Sequence, residues 1–117
     1  PLPAAFGGPP VDPSSMRARL VRANFLIPST IVMRRAPVVA AGLFDASLRS
    51  CEDWDLWLRL AQAGCQAEWC STAVCQYRLH PDNLTMDPDK QKRGAIRAVD
   101  KVFSSPRLLH LHHKHRQ

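Results

Sequence analysis

The sequence lacks any apolar run approaching the roughly 20 residues that a membrane-spanning helix needs, which excludes a transmembrane protein. Pro1 to Pro10 have neither the basic start nor the apolar stretch of a secretory signal. The cysteines Cys51, Cys65, Cys70 and Cys75 never have two residues between neighbours, so the paired zinc-knuckle spacing is missing. Without a secretory signal a disulfide framework is not expected either, and the thiols read as reduced, small, buried apolar groups in a cytoplasmic protein. No Gly-rich phosphate loop, Ser/His/Asp constellation or Cys nucleophile signature is present.

What is there fits one small domain. A chain of 117 residues with 45% apolar and 22% charged side chains is an ordinary globular mixture, neither disordered nor collagen-like. The net charge of +6 is unevenly divided. Residues 1–50 carry six Lys/Arg against two acids, residues 51–89 two against seven, and residues 90–117 eight against one. The distinctive segment is thus the acidic one, and the basic excess lies in flanks. A nucleic-acid binder concentrates positive charge where its chemistry is, so nucleic acid is not the expected partner. The basic flanks read as a solvated periphery, or as a contact with the inner face of an anionic membrane.

Along the chain, residues 1–13 form an irregular Pro/Gly-rich lead-in, 14–105 the folded part and 106–117 a basic, His-rich tail. Ser14 or Ser15 is placed to cap a short helix with Met16, Leu20 and Val21 on one face. Ile27 to Arg35, β-branched around Thr30, Ile31 and Val32, reads as a strand. Pro37 is placed to open a short helix that Gly42 closes. Ser50 to Gly64 is the strongest helix pattern, with Ser50 as cap, acids at the positive end of the dipole and Gly64 as the left-handed stop. Glu52, Asp55, Arg59 and Gln62 fall on one polar stripe, whereas Asp53 shares its face with Leu56, Trp57 and Leu60. Ala67–Trp69 and Ala73–His80 read as strands, the second placing Arg78 and His80 on one face. A last helix from Asp87, with Pro88 at its first position, runs to about Phe103 with Ile96, Val99 and Phe103 as its apolar stripe. The expected class is mixed α/β.

Asp53-Trp54-Asp55 and Asp87-Pro88-Asp89 are acid-x-acid triplets, but residues two apart on a helix project about 200° from each other and cannot share one ion. Asp87 and Asp89 read as capping residues. The run His110 to His115, without a carboxylate to orient its rings, reads as adventitious metal binding.

Four stretches together bring a family into view. Asn24 with Pro28-Ser29-Thr30-Ile31-Val32-Met33-Arg34-Arg35, Gly42-Leu43-Phe44-Asp45, Cys51 through Ala61, and Tyr77-Arg78-Leu79-His80-Pro81 with Asn83-Leu84-Thr85 resemble the C-terminal, acceptor-side half of a family 2 glycosyltransferase. The resemblance covers residues 24–85. It implies a partial GT-A-type mixed sheet flanked by helices, with the nucleotide-binding half missing. It implies an inverting transfer of sugar from a nucleotide-sugar donor to a sugar or lipid-linked hydroxyl acceptor, as in cell wall or polysaccharide biosynthesis. A divalent metal (Mg or Mn) would assist in the complete enzyme.

Carried over by position, Glu52-Asp53 resembles the family's Glu-Asp motif, with Asp53 the catalytic base. His80 resembles the histidine that completes the metal site, and Arg78 beside it would neutralise diphosphate oxygens. Trp54 and Trp57 are core candidates, one of them able to stack on an acceptor sugar. With only this half present, the chain by itself is expected to be inactive, to bind nucleotide sugars poorly and to self-associate. Two other classes compete: a basic nucleic-acid-binding module, and a non-catalytic structural or metal-binding remnant.

Overall fold

The computed structural model describes residues 15–70, 72, 73 and 75–105. The lead-in 1–13 and the tail 106–117 lie outside them. Among the described residues four α-helices form the framework: α1 Met16–Arg22, α2 Arg35–Ala40, α3 Glu52–Gln62 and α4 Pro88–Ser104. Single 3-10 turns occur at Pro28–Thr30 and Leu84–Met86. No strand occurs among the described residues, so the expected α/β class with its mixed sheet is wrong for them.

The strands fail for lack of partners. Strand preference is mostly a preference for a pleated, half-buried surface supplied by neighbours. Around Thr30 the chain instead closes a 3-10 turn with Pro28 at its first position. Thr30 Oγ1 donates to Ile27 O at 2.7 Å, and Ile31 N donates to Pro28 O at 3.2 Å. Val32, expected inside a sheet, is fully solvated. Residues 75–80 run without regular structure, and 67–69 likewise.

α3 lies at the centre, packed against α1, α2 and α4. That is why Trp54, Asp55, Leu56, Trp57 and Leu58 are buried in succession, as in a helix covered on all sides. Leu20 and Met16 of α1 and Val102 of α4 complete the core. Val21, expected to join Leu20, is exposed. Trp54 Nε1 donates to Leu20 O at 2.7 Å, giving the buried indole its partner and fixing α1 to α3. Trp57 meets Phe44 edge-on with ring centroids 6.4 Å apart.

The helix ends differ from their expected chemistry in detail. Ser15 precedes α1 without a side-chain cap, and α2 begins two residues before Pro37. Gly42 and Gly64, at φ 91° and 81°, supply the left-handed stops of α2 and α3 as expected. α3 is preceded by Cys51 at φ 59°, while Ser50 turns away so that its Oγ donates to Lys90 O at 3.1 Å. At α4 the expected cap holds: Asp87 accepts from Lys90 N at 3.0 Å behind Pro88.

The inward face of α4 is Gly94, Ala98 and Val102, not the expected stripe. Ile96 is 51% exposed, Phe103 is exposed and Val99 half-buried. Small residues let α4 approach the turn before α3 closely. A Cβ on Gly94 would stand 2.0 Å from Ser50 Oγ, 2.9 Å from Ser50 O and 3.1 Å from Ser50 C. The hydroxyl can rotate away; the backbone cannot. Gly94→Ala is therefore expected to lower the urea midpoint, because overpacking of about 1–3 kcal/mol outweighs a helix-propensity gain of about 1 kcal/mol. Gly94→Val gains less propensity and should lose more. A stabilised Gly94→Ala variant would refute this close packing.

Candidate active site

A cavity of about 420 Å³ opens between the N-terminal turn of α3, the first turns of α4 and the chain before Pro28. Leu26, Ile27, Pro28, Trp54 and Ala95 form its apolar wall. Its polar lining residues are Asn24, Asp53, Tyr77, Thr85, Gln91 and Lys92. A few convergent polar groups on an apolar wall are usual for a small-molecule site.

Asp53 stands half-buried on the first turn of α3. Asn24 Nδ2 donates to both of its carboxylate oxygens at 3.2 Å, and Trp54 N donates to Oδ1 at 2.7 Å. These donors are neutral, and no ion pair of the described residues involves Asp53. Asn24 was visible beforehand only as part of the family-like pattern, and its contact with Asp53 spans 29 residues of sequence.

Two residues on, Asp55 has the opposite fate. It is completely buried, on the stripe expected to be a polar surface, and Gln62 is buried with it. Arg59 reaches Asp55 Oδ2 through Nε at 3.0 Å and Nη2 at 2.6 Å. Lys101 of α4 adds a hydrogen bond to Oδ2 at 3.1 Å and an ion pair to Oδ1 at 3.0 Å. Arg59 also donates to Ala41 O and, at 2.7 Å, to Leu43 O, while Lys101 holds Asp45 at 2.6 Å. This network ties α2, α3 and α4 together.

Asp45 is held well below the ordinary carboxylate pKa of 3.8 by its hydrogen bond with Lys101 and by those from Ser47. Asp87 is lowered chiefly by the Lys90 amide. A depressed carboxylate contributes stability above its unfolded pKa and loses that contribution as pH falls through the folded one. Thermal midpoints should therefore fall as pH drops below about 4, the unfolded carboxylate value. Asp45→Asn should be less stable than the parent at pH 6 and show a flatter acid decline; an unchanged pH profile would contradict the Lys101 pairing.

The remaining expected site residues separate. Glu52 is half-buried on the same turn as Asp53 but does not line the cavity. Trp54 lines it, whereas Trp57 belongs to the core beside Phe44. Arg78 and His80 are exposed and outside the cavity lining; their carbonyls accept from Asn83 Nδ2 at 3.0 Å and Asn83 N at 3.1 Å. With no strand there, alternation does not place them on a common face. Among the described residues no group of three or more His, Cys, Asp or Glu is placed to hold a metal ion. The four cysteines are free: Cys51, Cys65 and Cys75 are half-buried rather than buried, and Cys70 is exposed. Cys51 lines the cavity, but burial first, then Asp53 and Glu52, push its thiol pKa up, which disfavours the reactive thiolate.

No family model, curated protein or solved structure matches the chain. No helix of the described residues is long and apolar enough to cross a membrane.

Proposed function

We propose that the chain is the acceptor-side part of an inverting glycosyltransferase, with Asp53 as the base that deprotonates an acceptor hydroxyl. The observation that carries the reading is the contrast between two acids on one helix. Asp55 is neutralised by Arg59 and Lys101 and has no access to a substrate. Asp53 is oriented by neutral donors, has no ion-pair partner among the described residues and lines a cavity of about 420 Å³.

In the reaction, the acceptor oxygen attacks the anomeric carbon of a nucleotide-sugar while the bond to the nucleoside diphosphate breaks. Asp53 takes the hydroxyl proton, and the displacement inverts the anomeric centre. Asn24 keeps the carboxylate turned toward the cavity, and the exposed part of Trp54 offers an apolar wall for a sugar ring. The proposal concerns this site and not a mixed sheet. A divalent metal belongs to the family resemblance; His80 supplies one imidazole donor with no described set of companions, so no step is derived through a metal. Replacing Asp53 by Asn while following sugar transfer tests the reading. Loss of turnover at unchanged donor affinity supports it, and parental turnover overturns it.

A further inference from the structure

Among the described residues, the cavity lined by Asp53 has one other charged lining residue, Lys92. Their charges are opposite, yet no ion pair joins them. The neighbouring lysines of α4 are differently occupied. Lys90 is paired with Asp87 at 3.4 Å, and Lys101 with Asp45 at 2.6 Å and Asp55 at 3.0 Å. Lys92 has no such partner among the described residues. Asp53, for its part, is satisfied by Asn24 and the Trp54 amide. The cavity is therefore lined by an acid and by a solvent-exposed lysine that are not ion-paired with each other. Beside them, Tyr77 Oη and Thr85 Oγ1 lie 3.3 Å apart and add hydroxyl groups to the polar side of the wall.

We infer that Lys92 is a specificity-determining residue that selects an acceptor carrying an anionic phosphate group as well as the reacting hydroxyl. The assignment of the ligand as an acceptor rests on the transferase reading; the preference for an anion does not. An exposed ammonium beside the cavity discriminates ligands by charge, within the limits that solvent screening sets. A neutral sugar leaves it to water, whereas a phosphate ester gives it a charge-assisted hydrogen bond. Asp53 opposes an anion placed close to it, so the phosphate and the reacting hydroxyl must occupy different parts of the cavity. A monophosphorylated sugar has both groups at separate positions, and inorganic phosphate has only one of them.

The experiment is calorimetry on the full chain with glucose, glucose 6-phosphate, inorganic phosphate and uridine diphosphate. Glucose 6-phosphate is expected to bind about ten-fold or more tighter than glucose, the worth of one hydrogen bond to a charged group. Lys92→Gln should remove that advantage and Lys92→Arg should keep most of it. Lys90→Gln, which changes a cation outside the cavity, should leave the ratio unchanged. The proposal is overturned if Lys92→Gln binds the sugar phosphate as the parent does, or if no sugar phosphate binds. It is also overturned if inorganic phosphate binds as tightly as glucose 6-phosphate, which would leave a surface that attracts any anion. Lys92-dependent binding of uridine diphosphate alone would overturn it in favour of a contact with the donor's leaving group. Asp53→Asn separates the two readings. If it leaves sugar transfer untouched while Lys92 still confers phosphate preference, the transferase reading falls and the anion site stands.

Discussion

Asp53→Asn is expected to lower kcat by a factor on the order of 10² to 10⁴, the usual worth of a general base. The substitution keeps the size of the side chain and removes only its ability to take a proton. The assay follows sugar transfer with a nucleotide-sugar-binding half placed before residues 1–117. Donor affinity should barely move, because in the proposed reaction the carboxylate acts on the acceptor hydroxyl. A fold change is not expected either: Asp53 is half-buried, and its described partners, Asn24 and the Trp54 amide, are neutral. The neighbouring acid supplies the control. Altering Asp55 should damage stability before it touches chemistry, since Asp55 is completely buried and ion-paired. If Asp53→Asn turns over like the parent at every pH, the base lies elsewhere.

Arg59→Ala is the second large effect, this time on folding. The guanidinium satisfies Asp55 through two nitrogens and the carbonyls of Ala41 and Leu43 through its Nη atoms. Removing it leaves a fully buried carboxylate facing Lys101 alone and takes the donor from the part-buried Ala41 carbonyl, while the exposed Leu43 carbonyl turns to water. Breaking a buried pair in this one-sided way costs about 3–5 kcal/mol. Small domains have only about 5–15 kcal/mol in total, so the urea midpoint should fall by roughly a fifth or more. Leu43, at φ 62°, depends on the same tether, so the loop after α2 should loosen first in hydrogen exchange. Arg59→Lys should recover only part of the loss, because one ammonium cannot replace the planar fork across a carboxylate and two carbonyls. A midpoint within experimental error of the parent would show that Lys101 alone suffices for Asp55.

The legible parts of the fold were those with local chemistry. Ser50 to Gly64 carries acids at one end and glycine at the other, and α3 occupies Glu52–Gln62. Asp87-Pro88 marked the start of α4, and the cap hydrogen bond is there. Strands at 27–35 and 73–80 were not legible in the same sense. Alternation and β-branching describe what a strand would bury if a neighbouring strand existed, and none does among the described residues. The buried face of α4 was misread because Gly94 and Ala98 carry little hydrophobic surface. Their value lies in the close approach they permit, which a stripe of Ile96, Val99 and Phe103 hides.

The site divides along the same line. That Asp53 sits on the first turn of a helix, on a different face from Asp55 and Arg59, follows from the 3.6-residue period and the sequence alone. The same period could not say which of the two faces meets solvent. Tertiary packing decided that, by bringing Lys101 from 46 residues away to neutralise Asp55 and by placing Asn24 over Asp53. A fully buried carboxylate needs cations or hydrogen bonds to offset its desolvation, which Arg59 and Lys101 supply to Asp55, whereas half-buried Asp53 has neutral donors. Which acid received which environment depends on contacts between helices distant in sequence.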